Sequence, residues 1–326
     1  MAQVSLVVPI YNVDAYLERC LDSIRHQTFQ DIEVLCINDG STDTSQSIID
    51  QFVKKDERFK SFIKPNGGLS DARNYGLQRV TSAVVMFPDS DDFCEPCMVE
   101  KAYTRMIKDQ LDCVVFDYAQ YFDAHQIKEV IHLPFDDKTI YAFDTHPELI
   151  AYMNNAAWNK LYKVSIFRDE HIEYPLGYRH QDLGTTLRYL YFCGRIGYIH
   201  EPLYNYLADR PNNLTQMVDQ KIRHIIDMNQ INIHFFKEKD IFNRYYEELK
   251  YVSAINLMTS LRKLPRLSDK EFVFEFIDQS FDFMEHHFPG YPKCVYPLHK
   301  EPHAFIYTHR NLLKWYYRYT QLRRSQ

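Results

Sequence analysis

The first 117 residues alternate between short apolar runs and amphipathic stretches, and this alternation constrains the fold more than any other feature. The runs at 4–10 and 32–38 are largely apolar, as in strands that are covered on both faces. Amphipathic stretches such as the one containing Leu17, Leu21 and Ile24 follow them. The pattern predicts an α/β fold that is doubly wound around a mainly parallel sheet. Further strands are predicted at 59–63, 84–88 and 112–117.

The alternation decays after residue 117, and the apolar spacing is mainly helical from about residue 216 onward. The polar turn at 210–213 is the best marker of a boundary near 215. We therefore predict one domain at 1–215, with halves at 1–117 and 118–215. A mainly helical C-terminal region is predicted at 216–326.

The composition excludes several classes of protein. The chain of 326 residues has a formal net charge of -6, which argues against nucleic acid as a partner because phosphate-tracking proteins usually carry a basic face. No apolar stretch reaches the roughly 18 residues of a membrane span, and the N-terminal stretch lacks a basic segment, so we expect a cytoplasmic protein. Cys94 and Cys97 form a CxxC without a second pair, which favours a structural role over zinc binding.

The segment 84–92, VVMFPDSDD, brings three carboxylates to the end of a predicted strand. Carboxylates this close raise one another's pKa unless a cation lies among them, which indicates a divalent-metal site. The alternative is that Asp91 or Asp92 caps a helix that begins near Glu95-Pro96. The segment alone leaves both interpretations open.

Three other polar segments follow predicted strands: Tyr11-Asn12, Asp39-Gly40 and residues 66–73. In doubly wound sheets, ligands bind outside the carboxyl ends of the strands, near a switch in strand order. The sequence therefore predicts that four polar loops converge on one edge of the sheet.

The motifs PIYN at 9–12, NDGSTD at 38–43, NGGLSDARNYG at 66–76 and DSDD at 89–92 occur in this order. Together they resemble the family 2 glycosyltransferases, which are inverting enzymes with the GT-A fold. The resemblance covers roughly residues 4–210. It implies that 1–215 is a GT-A domain with a nucleotide-binding half and an acceptor half, and that the substrates are a UDP-sugar donor and a carbohydrate or glycan acceptor.

The resemblance also implies roles for individual residues in donor binding. Tyr11 would stack on the pyrimidine, and Asp39 would accept the uracil N3–H, although Asp39 is equally suited to a turn before Gly40. Arg73 would approach the diphosphate, and Ser70 is either near the ligand or the cap of its helix. The implied nucleotide-sugar site also contains Pro9, Asn12, Asn66, Gly67, Asp71, Asp89 and Ser90.

In the family's DxD motif, here Asp89-Ser90-Asp91, the carboxylates hold Mn²⁺ or Mg²⁺. The resemblance implies that Asp91 binds the metal and that Asp89 faces the metal or the ribose. The metal offsets the charge of the leaving UDP. Asp92 is either a further ligand or a helix cap.

An inverting transfer needs a base on the acceptor side, and the resemblance assigns it to Asp182. Gln181 stands where the family usually has Glu, which removes one negative charge beside the base. The alternative is that Asp182 only caps a helix. Trp158 either packs against the sugar or lies in the core, and Arg210 would contact the diphosphate.

The tail at 303–326 carries Arg310, Lys314 and Arg318 at four-residue spacing, with Trp315 and Tyr319 on another stripe. This predicts an amphipathic helix that contacts the inner face of the plasma membrane, which suits a lipid-linked or glycoprotein-borne acceptor. The alternatives are packing on its own domain and a contact in a homo-oligomer.

We expect a metal-dependent bacterial enzyme of polysaccharide or glycan assembly. One rival interpretation is a non-catalytic nucleotide-sugar-binding subunit, which the change at Gln181 supports. The other is a nucleotidyltransferase, which is disfavoured because PIYNVDAY lacks a Gly-rich, Lys-containing loop.

Overall fold

The computed structural model describes residues 2–122, 126–208, 218–291, 293–296 and 304–324. Arg210 and the turn at 210–213 that marked the predicted boundary lie outside these residues. The chain forms two compact units. The first comprises Met1–His146, Asn154–Gly177 and Gln181–Asn213, and the second comprises Pro147–Met153, Tyr178–His180 and Leu214–Gln326. The simpler division into 1–215 and 216–326 stays a prediction.

The first four strands of the first unit confirm the predicted alternation. They pair in parallel in the order β3-β2-β1-β4, so the strand order switches at β1. Every residue of β1 and β2 is buried, as their apolar sequences predict. The strands are β1 Val4–Ile10, β2 Ile32–Asn38, β3 Phe59–Ile63 and β4 Val84–Met86, and the helices between them are α1 Asp14–Arg25, α2 Ser45–Lys55 and α3 Leu69–Leu77.

Beyond β4 the sheet also contains antiparallel pairs, while β1 to β4 and the long β6–β9 pair are parallel, in agreement with the predicted mainly parallel sheet. The elements that follow in the chain are β5 Phe93–Cys94, α4 Met98–Lys108, β6 Cys113–Tyr121, β7 Ile127–Ile131, α5 Glu148–Tyr152, β8 Lys160–Lys163, α6 Val164–Asp169, α7 Leu183–Tyr191 and β9 Ile196–Leu207. β8 runs antiparallel to both β4 and β6, and β7 runs antiparallel to β6, whereas β9 is parallel to β6. The short connection from β6 to β7 makes a hairpin, which requires antiparallel pairing.

Gly76 allows α3 to lie directly on β1. A Cβ atom at this position would overlap Cγ1 of Val7, which is fully buried in β1. The glycine therefore fixes a close approach of helix and strand. Because α3 starts in the loop that follows β3, this contact also positions the polar edge of the sheet.

The described regular elements of the second unit are helical, in agreement with the predicted helical C-terminal region. Besides α5, they are α8 His224–Glu238, α9 Tyr246–Leu261, α10 Lys270–His287, α11 Ala304–Tyr307 and α12 Arg310–Arg324, with short 3₁₀ helices at Gln220–Arg223 and Leu264–Arg266. Among the residues that the structure covers, no helix is both long and apolar enough to cross a bilayer.

Helix α12 packs on α10, and two of its basic residues form ion pairs with acidic residues of α10. Arg310 lies 2.5 Å from Asp282, and Lys314 lies 2.6 Å from Asp278. Leu313 and Tyr317 are buried. The exposed side carries large apolar side chains at Trp315, Tyr319 and Leu322.

Candidate functional site

The loops after β1 and β2 are joined by backbone and side-chain hydrogen bonds. The amide of Thr42 donates to Oδ1 of Asn12 over 2.7 Å, and the amide of Asp39 donates to the carbonyl of Ile10 over 2.8 Å. Asn12 has a φ of +46°, a left-handed conformation that Asn tolerates better than most residues. Pro9 is buried within β1, whereas the Tyr11 ring is half exposed at the strand end.

The buried carboxylate of Asp39 holds the loop that leads into α3. Its Oδ1 accepts from the amide of Gly67 over 2.9 Å, and its Oδ2 accepts from the amide of Gly68 over 2.8 Å. Lys64 is bonded to both Asp39 and Asp71, and although burial acts in the opposite direction, these bonds raise the pKa of Lys64. Asp39 thus has the turn-forming role, and its contact with the uracil ring of the donor stays a prediction.

At Gly67 the turn leaves no room for a larger side chain. A Cβ atom on Gly67 would overlap the carboxylate of Asp71. Asn66 is exposed, and its Nδ2 donates to the carbonyl of Asp39 over 3.0 Å. Ser70 lies inside α3, whose cap residue is Gly68, so the interpretation of Ser70 as the helix cap is wrong.

Arg73 is a buried cation in the middle of the predicted site. Its Nη2 lies 2.6 Å from Oδ1 of Asp89, and its guanidinium carbon lies 5.3 Å from the centre of the Tyr174 ring. Burial alone would lower the pKa of Arg73, but the charge of Asp89 raises it above the usual value. Within the described residues, Nε and Nη1 of this buried guanidinium have no hydrogen-bond partner. Two charged donors therefore remain unused.

The acidic loop after β4 is not a helix cap. Asp91 and Asp92 are followed by β5, and α4 begins at Met98 with Cys97 as its cap residue, so the capping interpretation is wrong. The physical reason is that the chain enters strand β5 after the acidic loop, so no helix begins there. The loop keeps Ser90 and Asp91 almost buried, and Arg19 donates to the carbonyl of Asp91 over 3.2 Å.

Tyr204 in β9 organises the other side of the acidic loop. Its hydroxyl oxygen accepts from the amide of Asp89 over 2.9 Å, and its hydroxyl lies 2.8 Å from Oδ2 of Asp92. The amide of Leu207 donates to Oδ1 of Asp92 over 2.7 Å. Burial, Asp91 and Asp89 raise the pKa of Asp92 well above the value of an ordinary carboxyl group. The loop therefore concentrates negative charge.

Asp182 is the cap residue of α7, and it is also near the cation of Arg73. Its Oδ1 accepts from the amide of Leu183 over 3.2 Å. Burial raises the pKa of Asp182, Arg73 lowers it and Asp89 raises it. Asp182 therefore caps α7, its role as the base stays a prediction, and the cap bond leaves the second carboxylate oxygen uninvolved. The neighbouring Gln181 is buried.

Trp158 lies in the aromatic core rather than on an open surface. Its ring is stacked on Tyr204 at 4.6 Å and on Tyr206 at 5.5 Å. Its predicted contact with a sugar stays a prediction. The nearby Lys160 holds a loop, since its Nζ donates to the carbonyl of Ala156 over 2.8 Å, and burial lowers the pKa of Lys160 to about 7.

Sequence reasoning did not identify Lys64, Tyr174 or Tyr204 as parts of this site. Lys64 directly precedes the PNGG turn. A buried carboxylate such as Asp39 needs a cationic partner, and this need could have pointed to Lys64. Tyr174 and Tyr204 lie in segments whose patterns give no such indication.

Comparisons with known proteins identify the family of this chain. A family model described as "Glycosyl transferase family 2" matches residues 5–170. EpsH of Bacillus subtilis (strain 168), named as a glycosyltransferase, is 29% identical over 256 residues, which are 76% of this chain and 72% of EpsH.

Two solved structures share the fold. The structure of residues 1–349 of S. aureus TarS in complex with UDP has a TM-score of 0.69 at 17% identity, and it covers 99% of this chain and 92% of that chain. The mannosyltransferase PcManGT from Pyrobaculum calidifontis, in complex with GDP-Man and Mn²⁺, has a TM-score of 0.55 at 15% identity and covers 80% and 74%. At these identities the likeness concerns the fold alone.

Proposed function

We propose that this chain, which belongs to glycosyl transferase family 2 and is a glycosyltransferase with a GT-A fold, moves a sugar from a UDP-sugar to a glycan acceptor with inversion. One observation carries the proposal. The buried Arg73 guanidinium is paired with Asp89 of the DxD motif and also interacts electrostatically with Asp182. The residues proposed for the leaving group and for the base therefore share one cation.

The acidic loop fits a divalent cation. Asp89 and Asp91 offer carboxylate oxygens, the ligands that Mn²⁺ and Mg²⁺ prefer. Burial and, after it, the charges of Asp91 and Asp89 raise the pKa of Asp92, and a cation in the loop would neutralise the negative charge of these carboxylates. When bound, such an ion supplies Lewis-acid neutralisation of the diphosphate charge. Asp91 and Asp89 are the residues that we propose as its ligands, in line with the Mn²⁺ in PcManGT.

The proposed chemistry is a single displacement at the anomeric carbon. The acceptor oxygen forms the new bond to this carbon while the bond to the diphosphate oxygen breaks and its electron pair leaves with UDP. Asp182 takes the proton of the acceptor hydroxyl. Its raised pKa favours this role because a base works best when its pKa is near the working pH.

The donor would lie along the polar edge after β1, β2 and β3. The exposed Tyr11 ring is available to stack on a pyrimidine. The unused Nε and Nη1 of Arg73 suit an anionic oxygen, because charge-assisted hydrogen bonds are strong. The complex of TarS with UDP supports a UDP-sugar as the proposed donor. The proposed donor site comprises Pro9, Tyr11, Asn12, Asp39, Asn66, Gly67, Asp71, Arg73, Asp89, Ser90 and Trp158, with Arg210 outside the described residues.

We also propose that the enzyme contacts the membrane through α12. The exposed Trp315, Tyr319 and Leu322 on α12 form an apolar stripe, and aromatic residues favour the interface of a bilayer. This stripe suits contact with the inner face of the plasma membrane, where a lipid-linked acceptor would be located. EpsH, a relative from a bacterium, is named as a glycosyltransferase, and on this ground we propose a role in bacterial glycan assembly.

The experiment that tests the function is a donor screen. The full chain is incubated with Mn²⁺, a glycan acceptor mixture and individual UDP-, GDP- and TDP-sugars, and the released nucleoside diphosphate is measured. We expect turnover with a UDP-sugar and a product of inverted anomeric configuration by NMR. A retained configuration, or turnover confined to another nucleotide, would contradict the proposal.

A further inference from the structure

The sheet of the first unit holds a cluster of one carboxylate and two imidazoles that the proposed transfer does not use. It consists of Asp117, His132 and His200, and one ligand atom from each lies within 4.8 Å of the other two. Asp117 is fully buried, whereas the side chains of His132 and His200 are 47% and 53% exposed. The carboxylate is therefore enclosed by protein, and the imidazoles reach solvent.

Irregular strand pairing brings these side chains together. Asp117 lies in β6, between β7 and β9, at a point where the register with β9 shifts. Phe116 is opposite Ile199, but Asp117 is opposite Pro202, so His200 lies in the extra segment of β9. His132 directly follows β7. Bulges of this kind redirect side chains and are frequent beside functional sites.

The distances suit a shared ligand. Nδ1 of His132 is 2.6 Å and Nδ1 of His200 is 3.4 Å from the same oxygen, Oδ2 of Asp117. Ligand atoms around a tetrahedral zinc ion are roughly 3.3 Å apart, because each lies about 2.0–2.2 Å from the metal. The His200 distance already has this value, and the half-exposed His132 ring, which is stacked on the His200 ring, has to withdraw and turn to place its nitrogen on the same ion.

The other oxygen of Asp117 is fixed by the protein. The Tyr198 hydroxyl donates to Oδ1, and the Leu133 amide donates to Oδ1 over 3.1 Å. These contacts leave Oδ2 directed at the imidazoles. Metal-binding carboxylates commonly have such outer partners, which orient them and tune affinity.

The geometry points to a binding site for a transition-metal ion of the zinc class at Asp117, His132 and His200, with water in the remaining coordination position. Two imidazole nitrogens and one carboxylate suit Zn²⁺ or Co²⁺, whereas the all-carboxylate donor loop suits Mn²⁺ or Mg²⁺. The ion joins residues of β6, β9 and the end of β7. The site does not depend on the proposed sugar transfer.

The test uses the full chain stripped with EDTA and then held in excess Mg²⁺, which occupies oxygen-only sites. Co²⁺ is titrated while its visible absorption is recorded, and Zn²⁺ is then added to displace it. The variants are His132→Gln, His200→Gln and Tyr198→Phe. The control is His26→Gln, which removes an exposed histidine that lies 3.4 Å from a single carboxylate, Asp22.

We expect one Co²⁺ per chain in the parent protein and in the control, with the intense absorption of a low-coordinate site and displacement by Zn²⁺. Each cluster histidine variant should lose this signal. Tyr198→Phe should bind about 10- to 100-fold more weakly, because it removes only an outer partner. Zn²⁺ should raise the melting temperature only where the site is intact.

Absence of the signal in the parent protein would overturn the proposal and leave the cluster as a hydrogen-bonded network around Asp117. Equal binding by the parent and both histidine variants would also overturn it. Circular dichroism and the melting temperature of the metal-free variants establish that they are folded. Both histidines are half exposed, so their replacement leaves the buried core intact.

Discussion

Arg73 and Asp89 form a buried ion pair, with Nη2 and Oδ1 2.6 Å apart, at the point where α3 meets the acidic loop. The same guanidinium lowers the pKa of Asp182, which caps a helix more than 90 residues later in the chain. One cation thus couples the proposed leaving-group loop to the proposed base.

Replacing Arg73 should change the pH dependence of transfer. Asp182 must be ionised to accept a proton, and Arg73 lowers its pKa, so Arg73→Met should raise that pKa further. The acidic limb of kcat/KM should then move to higher pH. Arg73→Lys keeps the charge and should restore most of the original limb. Arg79→Met, which removes a cation that bonds the carbonyl of Tyr75, serves as the control. An unchanged limb in Arg73→Met would contradict the coupling.

Asp91→Asn should abolish metal-dependent binding of UDP. The substitution keeps the size of the side chain but removes the charge that a hard divalent cation requires. Calorimetric titration of UDP with and without Mn²⁺ measures the effect, and EDTA should weaken binding by the parent protein to the same level. Asp169→Asn, at an exposed position of α6, provides the matched control. Mn²⁺-stimulated UDP binding that survives in Asp91→Asn would remove Asp91 from the metal site.

Gly76→Ala should destabilise the fold by about 1–3 kcal/mol, because its Cβ would overlap Val7 in β1. Combination with Val7→Ala should be less destabilising than the sum of the single changes, since the smaller strand residue makes room. Urea unfolding of all four proteins measures this coupling. Gly194→Ala is the control, because its Cβ would meet Asp112 only at an ordinary distance of 3.7 Å. Strict additivity would contradict the packing.

The α12 stripe should matter for vesicle binding. Trp315→Ser with Leu322→Ser removes two exposed apolar side chains while Leu313 and Tyr317 keep the helix packed. Flotation with anionic vesicles should show reduced binding, whereas Ile107→Ser, an exposed apolar residue of α4, should bind as the parent does. Equal flotation of all three proteins would remove the membrane proposal.

The sequence predicts β1, β2 and the helices after them well, because each is a local pattern of apolar residues. It also predicts the helix capped by Asp182. It could not predict the pairing of Arg73 with Asp89 or the bridge from Asp89 to Tyr204, which joins residues 115 positions apart. The sequence did not predict the antiparallel strands, because the direction of β7 and β8 depends on how each pairs with β6 in the folded sheet. The sequence also could not decide the role of Trp158, since the same apolar pattern suits a core residue and a residue that packs against a sugar.

The most direct test of the proposed mechanism is Asp182→Asn. The amide keeps an oxygen to accept from Leu183 and keeps the size of the side chain, but it cannot take a proton. With the donor identified by the screen, calorimetry should show unchanged affinity for the UDP-sugar, while transfer to the acceptor falls by about 10²- to 10⁴-fold. Transfer at the parent rate by a folded Asp182→Asn protein would contradict the assignment of Asp182 as the base.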